Sequence, residues 1–329
     1  MDETTNRFHV VFGASGGVGS TLVRELLARD KRVRAVIHSG RESFPEGVEV
    51  VRGDATDAAS AREAGRGAAV IYHAVNVPYP QWQGKLPPIL DANIGAAARA
   101  EAKLVYADNL YMYGRVHGPM TEETPYNPAS RKGALRARMA DELMSTHKEG
   151  RVRAAIGRAS DFYGPGPLNS VAGERLFEAV LEGKKAMWVG DLDAPHTLTY
   201  IEDFAKTLAT LGEREEALGE VWHVPSPEPI TGRKFIELVF DEARRPPRFG
   251  TYNRTMMRLG GLFSSEVREF REMLYQFEAP FVLDSSKYAR VFGDVVPTPY
   301  REGIARTLQW YRGEQRNRRA GPVRGKDVR

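Results

Sequence analysis

The stretch VVFGASGGVGSTLV, residues 10–23, decides the fold. A β-branched run enters it, Gly13, Gly16 and Gly19 punctuate it in a GxxGxxG spacing, and a helical pattern leaves it. The first glycine permits a tight turn, the second lets backbone N–H groups approach a pyrophosphate, and the third lets the helix pack against the strand. A diphosphate then lies at the positive end of the helix dipole. The turn predicts a dinucleotide contact over Gly13, Ser15, Gly16, Gly17, Val18 and Gly19. A purely structural turn is the plainer alternative, and the position at the head of a βαβ run argues against it.

The alternation continues on the C-terminal side. Strands are predicted over 7–13, 32–38, 48–54, 68–74, 103–108 and 151–157, and helices over 17–30 and the alanine-rich 87–102. The order βαβαβ calls for a parallel sheet, so the fold class is α/β: a Rossmann-type, doubly wound sheet with a smaller, mostly helical C-terminal substrate lobe. The rhythm breaks after residue 157, where FYGPGPLNS is turn chemistry and helical patterns such as 174–183 and 266–277 follow. Residues 1–170 plus 196–225 are assigned to the dinucleotide-binding domain, 171–195 plus 226–312 to the substrate lobe, and 313–329 to a basic, disordered tail.

Composition sets limits. The chain has 329 residues, 42% of them hydrophobic, enough for a full core. It contains no cysteine, which excludes disulfides and thiolate chemistry and fits a reducing cytoplasm. Neither a leader nor a membrane span is expected, since no apolar run is long enough. The net charge of +4 resides in residues 313–329, where six Lys/Arg face two acids, so neither a nucleic-acid nor a membrane partner is expected. The seven histidines lack metal-ligand spacing, and no nucleophile-elbow motif occurs.

The second strand ends VIHSGR, with Ile37 where a carboxylate would bind a ribose 2′-hydroxyl and His38, Ser39 and Arg41 beyond it. No acid stands there to repel a 2′-phosphate, and Arg41 has the geometry to pair with one. NADP(H) is therefore favoured over NAD(H). Tyr79 and Trp82 follow the fourth strand, at the carboxyl edge where ligands bind such sheets, and would suit a flat or apolar ligand; core packing accounts for them equally well.

On RGDATD (52–57), YHA (72–74), Asn93, YMYGRVHGPMTEETPYNP (111–128), GRASDFYGPG (157–166), TLTYIEDFAKTL (197–208) and FVLDSSK (281–287), the chain resembles the extended branch of the short-chain dehydrogenase/reductase superfamily, the epimerase/dehydratase-like proteins. The resemblance implies that Asp54 meets the adenine amino group beside Ala55, and that Ala74 lies along the cofactor. It also implies that Asp161 replaces a substrate-binding asparagine, with Tyr163 and His196 near the ligand. A homodimer through helices 87–102 and 131–147 is implied as well. The departures fall on the catalytic positions. Asn109 stands where the family has serine or threonine, and its Tyr-x-x-x-Lys slot reads Lys132-Gly-Ala-Leu-Arg136. This spacing is similar to the plant isoflavone, pinoresinol and phenylcoumaran reductases, in which a lysine is thought to transfer the proton.

Lys132 is accordingly the expected proton donor or acceptor, also touching the cofactor, with Arg136 as its tuner and Asn109 as the oxyanion partner. Like charges about 6 Å apart repel by roughly 2.8 kcal/mol at an effective dielectric of ~20. Tyr111 is a substitute proton donor. The leading expectation is an NADP(H)-dependent reductase of a small carbonyl or enone-like substrate, aromatic ones included. The alternatives are an epimerase or dehydratase of a sugar-nucleotide-like ligand, and a dinucleotide binder without redox chemistry.

Overall fold

Residues 7–38, 43–166, 170–252, 254–293 and 295–320 are described in the structure, a computed structural model. Seven strands form one sheet: β1 (Phe8–Phe12), β2 (Val33–Ile37), β3 (Glu49–Arg52), β4 (Ala68–His73), β5 (Lys103–Asp108), β6 (Arg153–Arg158) and β11 (Val221–His223), with intervening short strands introduced below. Their spatial order is β11-β6-β5-β4-β1-β2-β3, and every pairing is parallel. Strands buried on both faces need apolar runs rather than alternation, and FHVVF in β1 is buried at all five positions. The order reverses between β1 and β4, which makes their carboxyl ends the switch point where ligands bind sheets of this kind.

Helices cover both faces. α1 (Gly17–Ala28) and α6 (Ile201–Glu213) pack on one side, while α2 (Ala58–Ala64), α3 (Trp82–Ala100) and α4 (Arg131–Lys148) pack on the other. The predicted strands agree within two residues, and the 220–225 segment returns to the sheet as β11. Helix α3 differs: it begins at Trp82, five residues before the expected start, and contains Pro87 and Pro88. The prolines mark its early turns rather than its first residue, because the Trp82 indole N–H anchors the start by donating to the Val77 carbonyl at 2.8 Å.

The remaining chain surrounds its own core, centred on Phe177, Trp188, Phe235, Phe277 and Tyr311. It contains α5 (Glu174–Leu181), α7 (Gly232–Glu242), α8 (Arg254–Phe263), α9 (Ser265–Phe270) and α11 (Tyr300–Ala320), whereas α10 (Ser286–Phe292), expected in this lobe, returns to the sheet, with Tyr288 and Phe292 packed on Trp222. Short strands join it in pairs: β7 (Asp161–Tyr163) with β10 (Leu198–Tyr200), β8 (Ala186–Val189) with β13 (Phe249–Tyr252), and β9 (Pro195–His196) with β12 (Ile230–Thr231). The helix expected over 266–277 is α9 followed by a 3-10 stretch, Arg271–Phe277. The expected tail from residue 313 is helical through Ala320, because Ile304, Leu308 and Tyr311 seat α11 and Glu, Gln, Arg and Ala carry it on by propensity. Residues 321–329 lie outside the described residues.

Candidate active site at the carboxyl edge of the sheet

The glycine turn closes on itself through backbone alone. Gly13 adopts φ +81°, and a Cβ there would stand 2.7 Å from the Ala74 carbonyl oxygen. A Cβ on Gly19 would stand 2.1 Å from the Gly13 carbonyl oxygen. Gly16 caps α1 without a side-chain hydrogen bond, and the first turn holds no acid. The leading amides of this helix therefore have neither an intrahelical nor a side-chain acceptor, which fits a bound diphosphate. Gly16 is exposed beside them, and Ser15, Gly17 and Val18 are half-buried.

Further along the same edge, Asp54 Oδ1 accepts from the Thr56 N–H at 2.8 Å and hydroxyl at 2.7 Å. These bonds hold its carboxyl below the usual range. Both fall on one oxygen, which leaves Oδ2 for an amino group. Ala55 is half-buried, Ala74 adjoins Gly13, and His38 is exposed where β2 ends. Arg41, expected on the 2′-phosphate, lies outside the described residues, as does Ser39.

The catalytic slot departs from expectation. Lys132 is buried, and its Nζ donates to Glu269 Oε2 and Glu272 Oε1, each at 2.6 Å, and to the Glu269 carbonyl at 3.2 Å. Its ammonium also lies 5.0 Å above the Tyr79 ring. Lys132 in turn holds the Glu269 carboxyl below the usual carboxylate range. Arg136, expected beside it as its tuner, is engaged elsewhere. That guanidinium turns towards the sheet, with Nε 2.8 Å from Asp108 Oδ1, and crosses the faces of Trp82 and Tyr106. Arg158 takes the other oxygen of Asp108 at 2.9 Å, so one buried carboxylate serves two buried guanidiniums. The i, i+4 spacing put both cations on one helix face, but long side chains on that face diverge towards different acids.

Asn109 is likewise committed in part: its Oδ1 accepts the Tyr111 N–H at 3.0 Å, which leaves only its amide NH2 for a ligand. The Tyr111 and Tyr79 hydroxyls lie 2.9 Å apart. Burial pushes both above the ordinary phenol range, with the Asp161 charge adding to the effect, so they are donors at neutral pH. Asp161 Oδ2 is 2.9 Å from His196 Nε2. His196 is itself buried, stacked 5.0 Å from Phe277 and 5.3 Å from Phe281, and backs Asp161 from within the core.

Two other expected ligand contacts are core residues. Trp82 is 3% exposed and stacks on Tyr111, because it opens α3 instead of lying on a loop. Tyr163 is fully buried against Tyr200 and Phe235. Without the Trp82 face, the case for a flat aromatic ligand loses its main support. Sequence reasoning missed Glu269, Glu272, Asp108 and Arg158. Arg158 lay inside a quoted motif and Asp108 at the end of a predicted strand, whereas nothing local marked the two glutamates.

Residues 9–224 match the sequence model of the NAD dependent epimerase/dehydratase family. The dTDP-glucose 4,6-dehydratase of Neisseria gonorrhoeae is 22% identical over 208 residues, or 61% of this chain and 56% of that protein; the chain thus spans little more than half the length of this curated relative. The structure of Bacillus anthracis dTDP-glucose 4,6-dehydratase in complex with NAD superposes with a TM-score of 0.78 at 16% identity, covering 94% of this chain and 98% of that one. Thermus thermophilus UDP-glucose 4-epimerase in complex with NAD gives 0.76 at 21%, covering 93% and 99%. Bacillus cereus UDP-glucuronic acid 4-epimerase, also with NAD, gives 0.75 at 18%, covering 94% and 98%. At such identities the likeness is one of fold.

Proposed function

The chain belongs to the NAD-dependent epimerase/dehydratase family, whose members are NAD(P)-dependent enzymes, and from that premise we propose that it rearranges a nucleotide-sugar-like ligand without net consumption of its cofactor. The observation that carries the dinucleotide half is the open start of α1 at the switch point, with its bare amides and glycines. The ligand half is supported by the polar cluster of Tyr79, Tyr111, Asp161 and the Asn109 amide, which suits hydroxyl groups better than a flat ring. Similar proteins whose names specify UDP-sugar epimerases and dTDP-glucose dehydratases point the same way.

A bound nicotinamide would supply the hydride acceptor and donor. The chain's own part is proton management and orientation. Tyr111, kept protonated by burial, donates to the substrate oxygen, with Tyr79 hydrogen-bonded behind it. Asp161, oriented by the His196 ring, accepts a proton on the opposite side. His196 is a positioning residue. We assign Lys132 to fastening the 265–277 segment over the start of α4, since two carboxylates occupy its ammonium.

A panel of nucleotide sugars incubated with the protein and dinucleotide tests this reading. Transient reduced nicotinamide with an isomerised or dehydrated product supports it. Cofactor consumed in proportion to product would restore the reductase, and bound dinucleotide without any product would leave a binding protein. Tyr111→Phe and Asp161→Asn should each lower kcat by about 100-fold or more with dinucleotide affinity retained.

Three finer points belong to the same proposal. The 2′-phosphorylated dinucleotide is preferred, since Ile37 and His38 leave no carboxylate at the end of β2; equal or tighter titration with NAD+ overturns this. Residues 171–195 and 226–312 serve as the substrate lobe. A homodimer uses the outer faces of α3 and α4, where the space beyond Gly95 is open, and sedimentation equilibrium reads it directly.

A further inference from the structure

Beside the candidate site, where the Tyr275 hydroxyl donates to the Tyr111 carbonyl, four guanidinium groups converge without a close carboxylate ion pair among the described residues. A cavity of about 610 Å³ is lined by Arg115, Arg254, Arg258, Arg268 and Arg271, together with Glu272 and Glu278. Both acids are already engaged. Glu278 grips Arg254 at 2.5 and 2.6 Å, and Glu272 holds Lys132. Arg115, Arg258, Arg268 and Arg271 form no close ion pair with a carboxylate among the described residues, since Glu272 is held by Lys132 and Glu278 by Arg254. These guanidiniums are solvent-exposed, and a cleft that gathers several like charges focuses a field that attracts anions.

Helix α8 borders this cavity and is apolar on the wrong side. Met257 and Gly261 face the protein, whereas Leu259, Leu262 and Phe263 are 57%, 73% and 91% exposed. At 3.6 residues per turn, Leu259 and Phe263 fall opposite the buried pair, and Arg254 and Arg258 lie on the flank between. A lone exposed leucine is ordinary; a contiguous apolar face rimmed by arginines is the pattern of a helix lying in a bilayer interface.

We propose that α8 and the arginine-lined cavity form a docking surface for an anionic phospholipid bilayer. The guanidiniums take headgroup phosphates, in the forked geometry that arginine allows. Leu262 and Phe263 enter the acyl boundary. Attachment is peripheral, since no helix among the described residues is long and apolar enough to cross a membrane. A second copy fits this face less well, because two-fold packing would bring the same arginines against each other.

The full chain is sedimented with vesicles of phosphatidylcholine alone or mixed with phosphatidylglycerol, across a range of salt. Binding to the anionic vesicles should be at least about tenfold tighter and should weaken as salt rises. Arg258→Gln and Arg268→Gln should each reduce it about fivefold. Phe263→Asp should reduce it by about tenfold or more. Retained dinucleotide binding verifies that each variant is folded, and the salt series on the unaltered chain needs no variant. Absence of vesicle binding, or equal binding to both compositions, overturns the proposal. So does a dimer that Phe263→Asp dissociates, which assigns the face to a second copy. Tight pyrophosphate binding lost in the arginine variants, with no vesicle association, assigns the cavity to a free phosphate ligand and also overturns it.

Discussion

The starts of α1 and α4 face the same edge of the sheet and are built in opposite ways. At α1 the chain leaves the first amides bare: a glycine cap, no acid, and a backbone so close to β4 that side chains are shut out. At α4 the chain closes its own end. Ser130 Oγ accepts the Gly133 N–H at 2.9 Å, Glu272 accepts the Arg131 N–H at 2.9 Å, and the Lys132 ammonium bonds both glutamates. The open end is specified by ten residues of backbone shape, the closed end by side chains far apart in sequence. A ligand site needs the first kind of helix start. The second kind holds a neighbouring segment in place.

Removing the charge beneath the closed end should have the largest effect. Asp108→Asn leaves Arg136 and Arg158 buried without their carboxylate, and urea unfolding should show a loss of about 3–5 kcal/mol. A loss below ~1 kcal/mol would mean that the two guanidiniums find water instead. At the open end, Gly13→Ala forces a Cβ into Ala74, and dinucleotide titration should show about 100-fold weaker binding, equivalent to ~2.7 kcal/mol. Lys132→Met should leave that affinity within about twofold.

A smaller effect separates a clamp from a proton shuttle. Lys132→Met should cost about 1–3 kcal/mol of stability and expose 265–277 to protease, with partial recovery when Glu269→Gln and Glu272→Gln are added. Turnover abolished with stability and protease resistance unchanged would reinstate the lysine as the proton carrier.

The smallest expected effect is on the acid side. Burial lowers the His73 and His223 rings to about 3, below the 6.5 of an unfolded histidine. Neutral in the fold, they contribute stability that is complete above 6.5 and fades as pH falls towards 3. Going from pH 7 to 5.5 should cost about 1 kcal/mol for each, read as a falling Tm. Glu269, depressed from 4.5, begins to lose its contribution only below that value, so it does not enter this window.

The same contrast explains what was readable in the sequence. β1, the glycine turn and α1 are determined by neighbours along the chain, and their bounds came within two residues. The Lys132 side chain was visible as a departure, but its carboxylates are 137 and 140 residues away, so the spacing to Arg136 was the only charge in view. The choice between ligand contact and core packing for Trp82 stayed open in the sequence because Pro87 and Pro88 resemble a helix start and in fact lie in the second turn of α3. The pairing of Asp161 with His196 joins two short strands that no local pattern brought together.

Asp108, flanked by two guanidiniums, limits how this chain can change over generations. Restoring a tyrosine at 132 strands Glu269 and Glu272, and placing lysine at 136 gives up the fork on Asp108. Either replacement alone therefore gives a less stable chain. The present arrangement is thus a local stability maximum, which only coordinated exchange of several residues leaves without loss.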